Sequence, residues 1–130
     1  MNILLIEDDL TLNELITDYL KLNGNSVVSL EDGMNAIDTI DKTNFDLYII
    51  DINIPHINGL EIVKYIRQKD ISTPIIMITA SMELENFKTA YKNGCDDYIK
   101  KPFYLEELKI RIDKLLSKKS NGNSLIKISD

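Results

Sequence analysis

Strand-length apolar runs and helix-period stretches take turns five times along this chain, and that alternation leaves few folds open. The runs are residues 3–6, 27–30, 45–50, 74–78 and 98–99, all rich in β-branched or aromatic side chains. Between and after them come Leu12, Leu15, Ile16, Tyr19 and Leu20; Ala36, Ile37 and Ile40; Ile62, Val63 and Ile66; Phe87, Ala90 and Tyr91; and Leu105, Leu108, Ile112 and Leu115. Each set recurs at helical spacing. Strands separated by helices pair in parallel through right-handed crossovers, with helices on both faces of the sheet. The first, third and fourth runs read as continuous apolar stretches, interrupted only at Asp46, because both their faces are expected to be buried. Turn residues punctuate the pattern: Asn23-Gly24, Asp32-Gly33, Asn58-Gly59 and Asn93-Gly94.

At 130 residues the chain holds one such domain. After Leu116 the sequence turns small and polar, Ser-Lys-Lys-Ser-Asn-Gly-Asn-Ser, before a new apolar run at Leu125. The expected domain is therefore 1–118, and 119–130 reads as a linker leading toward something absent from this chain. Net charge is −6, so no field over the whole surface attracts nucleic acid or anionic lipid. No apolar run reaches the ~18 residues of a membrane span. The start runs straight into Glu7, Asp8 and Asp9, without the basic flank of a signal peptide, so a cytoplasmic location and no membrane partner are expected. The single cysteine, Cys95, excludes an internal disulfide and a thiolate zinc site, and reads as a small buried hydrophobe.

In open parallel α/β sheets, ligands sit outside the carboxyl ends of the strands. Those ends carry Glu7, Asp8 and Asp9; Asp51 and Asn53; Thr79; and Lys101. If the first and third strands are neighbours, Asp8 and Asp51 share a rim, and two carboxylates ~5 Å apart repel by about 3 kcal/mol at an effective dielectric near 20. A hard divalent cation relieves that repulsion, and an all-oxygen set suits Mg2+. Singly, each residue has a structural reading: Asp8 or Asp9 as the N-cap of the first helix, Asp51 as an Asx-turn acceptor, Thr79 as the N-cap of the fourth helix. Lys101 reads as a solvated charge, Tyr98 as core and His56 as surface. The coincidence of acids, hydroxyl and lysine at four strand ends argues against treating them singly.

With these motifs, residues 1–118 resemble the receiver domain of two-component response regulators. The stretches that carry the resemblance are Ile3-Leu4-Leu5-Ile6-Glu7-Asp8-Asp9, Asp51-Ile52-Asn53-Ile54-Pro55 with Gly59, Met77-Ile78-Thr79-Ala80, and Asp96-Asp97-Tyr98-Ile99-Lys100-Lys101-Pro102-Phe103. The resemblance implies a flavodoxin-like, doubly wound (βα)5 fold with a five-stranded parallel sheet in the order 2-1-3-4-5. It implies that Asp51 is the phosphoacceptor, that Asp8, Asp51 and the backbone carbonyl of Asn53 bind Mg2+ directly, and that Glu7 acts through water. Thr79 and Lys101 would contact the phosphoryl oxygens, Tyr98 would be a rotameric switch that turns inward, and the Lys101-Pro102 peptide would be cis.

The run from Tyr98 to Phe103, with Glu106-Glu107-Leu108 and Arg111-Ile112, is similar to the OmpR/PhoB-like subfamily, whose receivers precede a winged-helix DNA-binding domain. That implies a sensor histidine kinase as phosphoryl source, a homodimer on activation, and DNA as a partner through a C-terminal domain; the alternative is a stand-alone receiver acting by protein contact. Asp97, Glu107 and Arg111 match charge positions of the subfamily's dimer face. Phe87 stands where a partner arginine is expected, and Lys88 and Lys109 replace apolar positions. An aspartyl phosphohydrolase needs a second Asp two residues after the nucleophile, where Asn53 stands. A flavin carrier cradles phosphate after the first strand, where Glu7, Asp8 and Asp9 repel it. A switch rather than a turnover enzyme is expected.

Overall fold

The computed structural model describes the backbone of residues 1–129 and the side-chain surroundings of residues 1–118. The chain runs β1(Asn2–Ile6), α1(Leu10–Leu22), β2(Ser26–Leu30), α2(Ala36–Lys42), β3(Leu47–Asp51), α3(Gly59–Lys69), β4(Ile75–Thr79), α4(Leu84–Asn93), β5(Asp97–Lys100) and α5(Leu105–Ser129). All neighbouring strands are parallel, in the order β2-β1-β3-β4-β5, as expected. The proposed linker over 119–130 lies outside the residues whose side chains are described. No helix among the described residues is long and apolar enough to cross a membrane.

Alternation along the strands divides the interior into two layers. Leu4, Ile6, Tyr48, Ile50, Ile75 and Met77 face one layer with α3 residues Ile62, Val63 and Ile66. Ile3, Leu5, Leu47, Ile49, Ile76 and Ile78 face the other with Ile16, Leu20, Leu108 and Ile112. Every residue of β3 and β4 is buried, because helices cover both faces. Cys95 is buried, and burial pushes its thiol up to about 12.

Two helices seat differently from their sequence pattern. On α1 the buried residues are Asn13, Ile16, Thr17 and Leu20, and Leu15 is half exposed. The helix is rotated toward a pair of polar side chains because Asn13 finds backbone partners beneath it. On α4 only Ala90 is buried, while Phe87 and Tyr91 remain about two-fifths exposed. The fourth helix is thus shallowly seated. Thr79 does not cap it: the N-cap is Glu83, and the Thr79 hydroxyl instead accepts the Ser81 amide at 3.0 Å.

Three strands, β3, β4 and β5, also end one residue later than their apolar runs. Asp51 pairs with Ile78 and Thr79 with Lys100, so these polar side chains belong to the sheet itself. The Lys101-Pro102 peptide is cis, as expected.

Candidate functional site

The acidic triplet after β1 is folded back on itself. The Glu7 amide donates to the Leu30 carbonyl at 3.0 Å, and the Asp9 amide donates to Glu7 Oε2 at 3.0 Å. Asp9 Oδ1 accepts the Leu12 amide at 3.1 Å and caps α1, so its structural reading holds. Glu7 is thereby driven wholly inside, and Asp8 is left facing solvent. Asp51, 4% exposed at the end of β3, accepts the Asn53 amide on Oδ1 at 3.3 Å. That is the Asx turn read from the sequence, and it coexists with a second contact. Lys101, just past the end of β5, reaches over β4 and donates to Asp51 Oδ2 at 2.9 Å. Its ammonium also pairs with Glu7 Oε1 at 2.5 Å. Oxygen atoms of Glu7, Asp8 and Asp51 all lie within 4.8 Å of one another.

Glu7 and Asp51 therefore share one ammonium, with the unpaired Asp8 carboxylate beside them. Burial pushes the Glu7 carboxyl up to about 7, Lys101 and the Asp9 amide pull it down only in part, and the Asp51 charge pushes it further up. Burial by itself would lower Lys101, but its bonds to Glu7 and Asp51 outweigh that and hold the ammonium charged. The carboxyl rim is thus a pocket of excess negative charge built from hard oxygen donors, one of them open to solvent.

Gly59 makes the position of Asp51 possible. A Cβ on Gly59 would lie 2.0 Å from the Asp51 carbonyl oxygen, and the Gly59 amide donates to the Ile52 carbonyl at 2.8 Å. The start of α3 is pressed against the last peptide of β3. Beyond Asp51, Thr79 is fully buried, and Tyr98 is 8% exposed with its hydroxyl buried and without a partner. The Tyr98 ring already points inward and meets Phe87 edge-on, centroids 5.3 Å apart.

The model of the response regulator receiver domain matches residues 3–113. The chain belongs to that family.

This receiver domain is 39% identical over 127 residues to the transcriptional regulatory protein CiaR of Streptococcus pneumoniae, covering 96% of this chain and 56% of that protein. It is 41% identical over 124 residues to the response regulator ArlR of Staphylococcus epidermidis, covering 95% and 56% respectively. It superposes on the Thermotoga maritima response regulator TrrA, solved in complex with Mg2+ and BeF, with a TM-score of 0.79 at 32% identity, covering 88% of this chain and 97% of that one. The chain spans a little over half the length of the curated relatives it matches.

Of the residues singled out from the sequence, the receiver domain brings Glu7, Asp8, Asp51 and Lys101 together. Asn53 is exposed and touches Asp51 through its amide. Asp97, Glu107 and Arg111 form a separate cluster on β5 and α5, joined within the chain. Arg111 donates to Asp97 at 2.8 and 3.0 Å and to Glu107 at 3.1 Å. His56 is on the surface, 3.9 Å from Asp32. The sequence reading passed over Asn13, whose side-chain amide donates to the Glu7 carbonyl. The available signal was a polar residue on the face that Ile16 and Leu20 bury. In the sequence Gly59 reads as turn punctuation and as part of a motif; its close approach to Asp51 is a property of the fold.

Proposed function

We propose that this receiver domain is a phosphorylation-activated switch in which Asp51 accepts a phosphoryl group. The observation that carries the reading is Lys101 bound to Asp51 and Glu7, with Asp8 beside them, at the carboxyl rim. The donor set fits a hard divalent cation, since it holds more negative charge than Lys101 balances and includes a solvent-facing oxygen donor. Mg2+ would be held by Asp8, Asp51 and the carbonyl of Asn53, with Glu7 acting through water, and would supply charge neutralisation there.

Asp51 is the nucleophile. One of its carboxylate oxygens forms a bond to phosphorus while the bond from phosphorus to the donor breaks, and the leaving group departs with that electron pair. The product is an acyl phosphate. Lys101, already oriented on Asp51, balances charge on the transferred group. The Thr79 hydroxyl accepts the Ser81 amide, so its proton remains free to donate to a phosphoryl oxygen. Ser81 Oγ in turn accepts the Glu83 amide and the Asn86 side chain, so a pull on Thr79 reaches the start of α4. Tyr98 lines one small cavity with Ser81, Glu83 and Phe87 and acts as the switch side chain. Asn53 stands where a phosphohydrolase needs a carboxylic acid, which supports a switch over a turnover enzyme.

In the whole protein the phosphoryl source is a sensor histidine kinase. The output is transcriptional control through DNA bound by a further, C-terminal domain, with 1–118 as the receiver and 119–130 as linker. The similarity to CiaR and ArlR and the OmpR/PhoB-like motif around Tyr98 support this. Activation promotes pairing of two receivers through Asp97, Glu107 and Arg111. The central test is intact-mass analysis after treatment with acetyl phosphate and Mg2+. One added phosphate is expected in the native protein and none in Asp51→Asn; equal labelling of both would overturn the assignment.

A further inference from the structure

We propose that Asn13 is a positioning residue for the acid cluster, holding Glu7 in place and setting the direction in which Asp8 leaves the sheet. This rests on the reading of that cluster as a Mg2+ site. Asn13 is 6% exposed on α1, between the acid rim and the apolar layer that takes Ile16 and Leu20. Its Nδ2 donates to the Glu7 carbonyl at 3.0 Å and to the Leu30 carbonyl at 3.2 Å, and its Oδ1 accepts the Thr17 hydroxyl at 3.3 Å. The same Leu30 carbonyl accepts the Glu7 amide. Glu7 is therefore gripped on both sides of its Cα, at its amide by β2 and at its carbonyl by α1.

The grip on the carbonyl extends to the next residue. The Glu7 carbonyl, the Asp8 amide and the Asp8 Cα belong to one planar peptide unit, so fixing the oxygen fixes the plane from which Asp8 starts. The Asp8 carboxylate makes no hydrogen bond or ion pair among the described residues, and its orientation comes from its backbone alone. Asp9, which follows, is tied to Glu7 Oε2 by its amide and to the first turn of α1 by its side chain. Asn13 thus locks one end of a short, acid-bearing connection whose other end is the helix cap. An apolar side chain at this position fills the space but leaves the Glu7 carbonyl without the donor that orients it.

Side chains that orient metal-binding groups from behind typically change metal affinity by about 10- to 100-fold when removed. The test is calorimetric titration of MgCl2 into the 130-residue protein as wild type, Asn13→Ala and Ile16→Val. Ile16 is buried on the same helix and belongs to the apolar layer, so it controls for loss of packing. Asn13→Ala is expected to weaken Mg2+ binding by about 10-fold or more, while Ile16→Val leaves it unchanged. In metal-free protein, amide exchange at Asp9 should also be faster in Asn13→Ala than in Ile16→Val. Should Asn13→Ala fail to fold, Asn13→Ser takes its place with the same expected losses. Wild-type affinity and wild-type Asp9 exchange in the Asn13 variant would overturn the inference and leave the Mg2+ site standing. A native protein that takes up no Mg2+ would overturn both.

Discussion

Glu7 shows how a single buried carboxylate ties the site to the stability of the fold. Its carboxyl titrates near 4.5 when exposed and about 7 in the folded protein, so the folded state binds this proton more tightly. The stabilisation from that proton is fully present below the unfolded value and is lost as pH rises through the folded one. In chelator, Glu7→Gln should remove the fall in stability across that window and leave the variant more stable than wild type above it, by at most about 3 kcal/mol. Urea unfolding of both proteins through the window checks this; parallel pH profiles would refute it. Asp70 works in the opposite direction. Burial would raise it, but hydrogen bonds from Thr73 and Ser72 outweigh burial and hold it at about 2, so its contribution is lost only in stronger acid. Gly59 is the second residue whose effect is local and large. Gly59→Ala drives a methyl group into the Asp51 carbonyl, so the start of α3 must move. A loss of about 1–3 kcal/mol is expected in urea unfolding, together with slower phosphorylation by acetyl phosphate. Asp51, Thr79 and Lys101 were legible in the sequence because a polar residue at the end of an apolar strand is conspicuous. Asn13 was not, because its meaning depends on two carbonyls that only the folded sheet brings beneath it.

At the scale of elements, α4 is unevenly held. Its C-terminal end is pinned: Asn93 donates to the Leu60 carbonyl at 3.0 Å, and Arg67 donates to the Gly94 carbonyl at 2.9 Å. Arg67 also bonds the Asp70 carbonyl and Asp96, whose Oδ2 accepts the Ile75 amide. Gly94 has φ of 113°, and a Cβ there would lie 2.6 Å from Arg67 Cγ. The N-terminal end has only Ser81 and the exposed side chains of Met82 and Leu84. A helix fixed at one end pivots there, so movement at Ser81 swings the first turns of α4. Hydrogen exchange should be faster at Phe87 and Lys88 than at Ala90 and Tyr91. Arg67→Ala should speed exchange at the second pair by about tenfold, as loss of a charge-assisted bond predicts. Equal protection along α4 in the native protein would remove the pivot. The period of the fourth helix was legible from Phe87, Ala90 and Tyr91. Its shallow seating was not, because helical spacing marks a face without showing how far the sheet lets it in.

For the whole molecule, the proposed pairing of two receivers competes with contacts already made within one chain. Arg111 is satisfied within the chain by Asp97 and Glu107, so any cross-subunit pair forms in exchange for an existing one. Exposed ion pairs contribute only ~0.2–1 kcal/mol each, or up to about fivefold in affinity. Apolar surface has to supply the rest, and Phe87, Tyr91 and Ile110 are exposed on this side, with a cleft of about 730 Å3 beside Arg111 and Ile110. Sedimentation with and without beryllofluoride should show a weak, salt-sensitive dimer on activation, weakened further in Arg111→Ala. A wild-type domain that stays monomeric, or a variant that pairs equally well, would exclude this face.

The order of the elements, the parallel sheet and the strand ends that carry acids, hydroxyl and lysine are all readable from the unfolded chain. These follow from side-chain period and turn chemistry, which are local properties of the chain. Long-range packing sets the rest: Glu7 is buried while Asp8 faces water, α1 turns Asn13 inward, and Arg111 pairs within its own chain. Each depends on groups far apart in sequence meeting at one distance, and on how deeply each helix packs on the sheet. Burial also sets the charge on Glu7, because desolvation acts on a carboxylate only once the rest of the fold has closed around it.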